Sequence, residues 1–279
     1  MSQVAVITGG AGGMGLATAK IIGRDQPVVL GDVRPDRLDA AAAALADLGI
    51  SATIVRCDVT DRAAVARMFE TAASLGTLSA VVHTAGVSPS MGDADYVMTT
   101  NALGTLNVNE AFFDAATEGA AIVNVASMAA HLVPESHIPA AQFPHALQDV
   151  AGFADEMAAA CAALPVEARS GFAYAVSKSF VRWYSTSQAE RFNGRGLRIV
   201  SVSPGSVDTE MGQLEADAGA GALVADFAVP RWGKAEEMAE LFAFCVSAKA
   251  GYLTGTDILN DGGVVASMKE RARVAAGNG

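Results

Sequence analysis

The feature that most restricts what this chain can fold into is a run of glycines near its start. Thr8-Gly9-Gly10-Ala11-Gly12-Gly13-Met14-Gly15 follows the apolar, β-branched segment Val4–Thr8 and precedes a stretch of helical spacing. Glycine adopts backbone angles that other residues avoid, and without a Cβ it lets another group approach the main chain closely. A strand that turns this sharply into a helix presents the helix's first N–H groups at the positive end of its dipole. That arrangement seats a phosphate, and glycines at this spacing suit a pyrophosphate. The plainer alternative is an ordinary tight strand–helix turn, against which the preceding strand argues.

The same strand–helix alternation continues through the 279 residues. Strands are predicted at Val4–Thr8, Pro27–Asp32, Ala52–Arg56, Ala80–His83, Ala121–Ala126, Leu197–Ser203 and Asp257–Asn260, with helices such as Asp36–Leu48 and Arg62–Ala73 between them. Repeated βαβ units give a doubly wound, mostly parallel α/β sheet of Rossmann type with right-handed crossovers. No linker or repeat divides the chain, so residues 1–279 read as one domain. The tail closes on Gly-Asn-Gly and is expected to fray.

Residues 128–171 break the pattern as an inserted segment. They open with His131, Pro134, His137, Pro139 and Pro144, then give a helical run whose apolar residues are Leu147, Val150, Ala154, Met157, Cys161 and Leu164. Steps of three and four put these on one face. The expectation is a helical cover over the substrate end of the cleft. The alternative is a subunit contact, since an apolar stripe buries equally well against a partner.

Charge narrows the partners. With 19 Lys plus Arg against 30 Asp plus Glu, the net charge is -11. Such a surface repels nucleic acid and anionic lipid. Cys57, Cys161 and Cys245 are too widely spaced for a zinc site or a disulfide framework, so no metal is expected. No leader-like or membrane-spanning segment is legible, and a cytoplasmic location is expected.

Two further signals carry chemistry. Asp32 ends the second strand, where a carboxylate accepts hydrogen bonds from adenosine ribose hydroxyls and repels a 2′-phosphate, favouring NAD over NADP. Arg34 is the dissenting neighbour, and a turn-forming Asp before Pro35 is the bland alternative. Tyr174 and Lys178 stand four apart on a predicted helix and share a face. A tyrosine hydroxyl ordinarily titrates near 10, and acid–base work at neutral pH needs it lower. A nearby ammonium, with the positive nicotinamide, supplies that support.

With these residues in view, the chain resembles the short-chain dehydrogenase/reductase family. The glycine motif at Thr8–Gly15, Asp32, Asp58-Val59, Ala85-Gly86, Asn101 with Gly104, Ser127, Tyr174 with Lys178, Pro204–Thr209 and Thr254–Gly263 fall in the family's order. The resemblance implies an NAD-dependent oxidoreductase interconverting a small-molecule alcohol and its carbonyl. Tyr174 would be the acid/base and Lys178 its support and a ribose ligand. Ser127 would hold the substrate oxygen, and Asn101 a water in a proton relay. Gly9, Gly13, Met14, Gly15, Asp32, Asp58, Val59, Ala85, Gly86, Pro204, Gly205, Val207 and Thr209 would line the cofactor, and a homo-oligomer pairing the Asn101 and Tyr174 helices is implied. A non-catalytic NAD sensor on the same fold is the alternative, which would be free to lose the four catalytic residues.

Two departures stand out. His83 and Thr84 replace the pair of Asn residues that the family carries before Ala85-Gly86, and His83 is expected to be a packed strand-end residue. The insertion lengthens the usually short Ser–Tyr connection, and its His131 and His137 are expected to be solvated loop residues rather than substrate contacts. Loops Val87–Tyr96 and Met211–Val229, with the insertion, would shape a pocket for a moderately large apolar substrate, of terpenoid or steroid size.

Overall fold

The computed structural model describes residues 2–219 and 228–277. The strands are β1 (Gln3–Thr8), β2 (Val28–Asp32), β3 (Ala52–Arg56), β4 (Thr77–His83), β5 (Ala121–Val125), β6 (Arg198–Pro204), β7 (Val207–Asp208), β8 (Gly233–Lys234) and β9 (Asp257–Asn260). The helices are α1 (Gly13–Ile22), α2 (Pro35–Ala46), α3 (Arg62–Leu75), α4 (Ala94–Met98), α5 (Gly104–Ala115), α6 (Ala129–Leu132), α7 (Val150–Ala162), α8 (Val166–Ser187), α9 (Ala189–Asn193), α10 (Glu210–Asp217), α11 (Ala235–Val246) and α12 (Val264–Gly277).

Seven strands form one parallel sheet in the order β3-β2-β1-β4-β5-β6-β9. The inner strands are buried on both faces, which is why Val4–Ile7 and Ala121–Val123 read as unbroken apolar runs. One core lies under α3, α5 and α8, with Val65, Met68, Phe112 and Phe180 fully enclosed. The other lies under α1, α2 and α11, with Ile22, Leu38, Leu45 and Phe242. The chain continues as helix α12 almost to its end, so the fraying expected of the tail concerns residues 278–279, which lie outside the described residues.

The insertion corrects the expectation in two ways. Its helix starts at Val150, where the Asp149 side chain accepts from Gly152 N, while Pro144 sits in a separate 3₁₀ run, Ala140–Leu147. That break puts Leu147 and Val150 out of phase, and they are 41% and 40% exposed. The buried stripe is Phe153, Met157 and Cys161, joined by Phe143 and Ala146 from the 3₁₀ run. Phe143 and Phe153 pack on Phe180 of α8, with ring centroids 5.4 and 5.1 Å away, and Phe143 also meets Trp183 at 5.7 Å. The insertion therefore extends the core on the outer side of α8. None of its residues is among those lining the large cleft described below.

Candidate active site

The strand register brings the carboxyl ends to one edge: Thr8 is paired with Gly31 and with His83, and His83 with Asn124. Strand order reverses between β1 and β4, and a ligand crevice forms outside such a switch point. A cleft of about 990 Å³ opens there.

The glycine loop forms its floor. Gly9 has φ +64°, and a Cβ on it would fall 2.8 Å from Ala85 N. A Cβ on Gly15 would run into the Gly9 carbonyl, so this helix start must stay bare. No side chain caps α1, which leaves its first N–H groups to a ligand. Gly9, Gly13, Met14, Gly15, Asp32, Asp58, Val59, Ala85, Gly86 and Thr209 all line the cleft. Tyr174, Lys178, Pro204, Gly205 and Val207 do not: Lys178 and Tyr174 lie behind Gly86, Pro204 ends β6, Gly205 N donates to Asn260 O at 3.0 Å, and Val207 is buried in β7.

At the β2 end of the cleft, Asp32 accepts from Arg34 N at 3.2 Å and Ala11 N at 3.4 Å. Arg34 turns away to Asp36, and Arg37 pairs with Glu210 of α10. Both cations of this wall are thus held by carboxylates.

Two of the predicted catalytic residues, Asn101 and Lys178, flank Gly86, and the other two follow from Lys178: Tyr174 lies beside it, hydrogen-bonded to Ser127. A Cβ on Gly86 would lie 2.9 Å from Asn101 Oδ1 and 3.4 Å from Lys178 Nζ. Asn101 is the centre of a five-residue π turn, Thr99–Leu103, a distortion common at functional sites. Its amide accepts from Val87 N at 2.9 Å and donates to Val87 O at 3.0 Å, fastening the loop after β4. Lys178 donates to Val125 O at 2.9 Å and lies 5.8 Å from the centre of the Tyr174 ring. Ser127, two residues past β5, accepts from Ala129 N at 3.1 Å.

The electrostatics differ from expectation in one respect. Burial lowers the Lys178 ammonium to about 8. Tyr174, however, is raised above its ordinary value, first by burial, with the Ser127 hydroxyl opposing and the Glu215 charge adding to the rise. Lys178 is directed at a backbone carbonyl and does not offset that burial. The protein alone therefore leaves the tyrosine protonated at neutral pH.

His83 is 2% exposed and is a packed strand-end residue as read. Its tautomer follows from its neighbours. Thr105 Oγ1 donates to Asn101 O at 2.7 Å, so it accepts from His83 Nε2–H at 3.1 Å, and Nδ1 accepts from Thr8 Oγ1 at 2.7 Å. Burial, with the Lys178 charge, drops the imidazole to about 3, so it stays neutral. Thr84 Oγ1 donates to Thr8 O at 2.7 Å. The two residues that break the family's pattern thus strut the glycine loop from below.

His137 is exposed as expected, but His131 is not solvated: its Nε2 meets Asp257 at 2.8 Å and Ser203 at 3.2 Å. The sequence reading missed Arg37, Glu210 and Thr100 on the cleft wall. Only the fold shows that α2 and α10 face each other, and no motif marks them. Of the loop Met211–Val229, residues 220–227 lie outside the described residues. No helix among the described residues is long and apolar enough to cross a membrane.

Comparison with known proteins agrees with this geometry. Residues 3–141 match the family described as short chain dehydrogenase, and residues 153–265 that described as enoyl-(acyl carrier protein) reductase. A short-chain dehydrogenase/reductase of Alternaria brassicicola is 31% identical over 96% of this chain and 98% of its own. A cis-4-hydroxycyclohexanecarboxylate dehydrogenase of Sinomonas cyclohexanicum is 30% identical, covering 95% and 97%. Among solved structures, a short chain dehydrogenase of Burkholderia cenocepacia in complex with NADP superposes with a TM-score of 0.72 at 26% identity, over 93% of this chain and 96% of that one.

Proposed function

We propose that this chain, which belongs to the short-chain dehydrogenase/reductase family, oxidises an alcohol to its carbonyl, or the reverse, with NAD as partner and Tyr174 moving the proton. What supports the reading is that Asn101 and Lys178 flank Gly86 of a cleft floored by bare glycines, with Tyr174 beside Lys178 and hydrogen-bonded to Ser127. The floor fits a dinucleotide, because the positions that would approach a pyrophosphate have no room for a side chain.

The nicotinamide, when bound, supplies the acceptor for the hydride leaving the carbinol carbon. The remaining work belongs to the chain. Ser127 and Tyr174 both address the substrate oxygen, and Tyr174 takes its proton in oxidation and returns it in reduction. Burial holds the phenol above its ordinary value, which keeps Tyr174 protonated and ready to donate in the reducing direction; a bound oxidised ring would supply positive charge favouring the phenolate. Lys178, near 8, holds a positive charge at neutral pH and passes protons readily. Asn101 keeps the Val87 loop closed on the site.

NAD is favoured over NADP by Asp32 and by the commitment of Arg34 and Arg37 to carboxylates. The relative from Sinomonas, named for a secondary ring alcohol, makes secondary alcohols the first class to try. The test is NADH production over a panel of alcohols with Tyr174→Phe as the blank. Asp32→Ala should bring kcat/KM for NADP towards that for NAD. Equal use of the two cofactors by the unaltered enzyme would refute the Asp32 reading.

A further inference from the structure

We propose that His131 and Asp257 are positioning residues for Ser127: with Arg182 they form a knot that fixes the Ser127 turn against the Tyr174 helix. The inference deepens the oxidoreductase reading above and rests on it. Residues 128–173 separate Ser127 from Tyr174 in the chain, so no short connection sets the distance between the two groups that address the substrate oxygen. That distance matters, because a misplacement of about 1 Å can cost roughly a hundredfold in rate.

Asp257 opens β9 beside Ser201 of β6. Its carboxylate accepts from Ser201 Oγ at 2.6 Å and from Ser203 Oγ at 3.0 Å. His131 of α6 adds a third contact: Nε2 lies 2.8 Å from Asp257 Oδ2 and 3.2 Å from Ser203 Oγ. The Ser203 proton already points at the carboxylate, so Nε2 carries the hydrogen and donates to both oxygens. Arg182 of α8 closes the knot. Its Nε lies 3.5 Å from Asp257 Oδ2, a charge contact, and its Nη1 donates to Ala130 O at 2.8 Å. The His131 and Asp257 side chains are only 14% and 7% exposed, so water does little to replace these contacts.

Both sides of the knot lead to the site. On one side, Ala130 N donates to Ser127 O at 3.0 Å and His131 N to Met128 O at 2.8 Å, so His131 and Ser127 belong to one turn. A shift of α6 would carry Ala129 N, whose bond to Ser127 Oγ orients that hydroxyl. On the other side, Arg182 follows Tyr174 and Lys178 at four-residue steps of α8, which sets the three along one side of the helix. Apolar packing would anchor the start of the insertion as firmly as a buried charge does. What the charged knot adds is direction: hydrogen bonds from β6 and α6 to one carboxylate fix orientation as well as contact. The competing reading is a pin that holds the insertion and nothing more.

The experiment is a double-mutant cycle. NADH formation is followed with the fastest of isopropanol, cyclohexanol and indanol, and kcat is expressed per site that binds NADH in a fluorescence titration. His131→Phe keeps a ring in place and removes the donor, and Asp257→Asn keeps the shape and removes the charge. Each should lower kcat about tenfold while the NADH dissociation constant stays unchanged. His131→Gln, which restores an N–H donor, should recover most of the loss. In a Ser127→Ala background, His131→Phe should cost no further kcat, because the group it positions is gone. A pin that serves only the insertion would give the same fractional loss in both backgrounds, or a lower thermal midpoint with kcat unchanged. Either result overturns the proposal and leaves the oxidoreductase reading intact. Arg182→Gln cuts the knot from its more exposed side, so the same cycle runs on that variant where His131→Phe does not fold. If no secondary alcohol is oxidised above the Tyr174→Phe blank, the oxidoreductase reading fails and takes the proposal with it.

Discussion

Helix α8 carries two faces that meet opposite demands. One carries Tyr174 and Lys178 behind Gly86, where burial pushes the phenol above its ordinary value and the ammonium down to about 8. The other presents Phe180 and Trp183 to Phe143 and Phe153 of the insertion, a cluster of aromatic rings. Trp183 lies nine positions after Tyr174, roughly 180° around a helix of about 3.6 residues per turn, and Phe180 lies roughly 160° from Lys178. The chemistry and its mechanical support therefore sit on nearly opposite sides of one rod. The reactive face is costly to keep in place, and the apolar face provides the packing that holds it there.

The sharpest way to break this division is on the reactive face. Tyr174→Phe should keep the thermal midpoint of the unaltered protein and its NADH affinity, while turnover falls at least about 100-fold, the usual worth of a positioned acid/base being roughly 10²–10⁴. Stopped assays and calorimetry on the same preparation would check both halves. A variant that is inactive only because it unfolds would show that the faces are not separable.

The packing face should give the converse result. Phe180→Ala removes a fully buried ring from the cluster and is expected to destabilise by about 3–5 kcal/mol. Denaturant unfolding gives the loss, and kcat of the folded fraction, measured well below the transition, should stay within a few-fold of the original. A drop in kcat as large as that of Tyr174→Phe would mean that the aromatic cluster sets the reacting geometry directly.

The reactive face was legible in the sequence and the packing face was not, for a physical reason. Tyr174, Lys178, Asn101 and the glycines must be particular residues at particular spacings, because a ligand fixes the geometry they serve. Asp32 was legible because a strand end feeds straight into its position. The parallel sheet was legible because buried strands are uninterrupted apolar runs. An apolar stripe, by contrast, states that something covers it but not what. Its phase in residues 147–164 was misread because Ala154 and Phe153 are neighbours, and only the cap at Asp149 decides which of them the helix turns inward. The pairing of His131 with Asp257 joins residues 126 apart in sequence, and no local pattern announces it.

His83 offers the smallest effect and tests whether the division extends beyond α8, since it is buried like a packing residue yet lies directly under the glycine loop. Its imidazole is held neutral in the fold, near 3, against an ordinary value of 6.5. Between these values the unfolded chain binds the extra proton and the native state does not, so stability rises with pH across that window. The contribution is complete above about 6.5 and is lost as pH falls towards 3. His83→Asn keeps a polar group in the cavity but has nothing to protonate. At pH 7.5 it should cost about 1 kcal/mol for the hydrogen bond the shorter side chain fails to make to Thr8 or Thr105. On acidification from pH 7 to 5, its thermal midpoint should fall less steeply than that of the original protein. A packing residue alone would leave KM for NAD unchanged. A strut beneath the loop would raise that KM, with kcat nearly constant, because Thr8 also receives Ala85 N and so fixes the cleft wall. Parallel acid slopes for the two proteins would show that His83 is not the group whose protonation opens the fold.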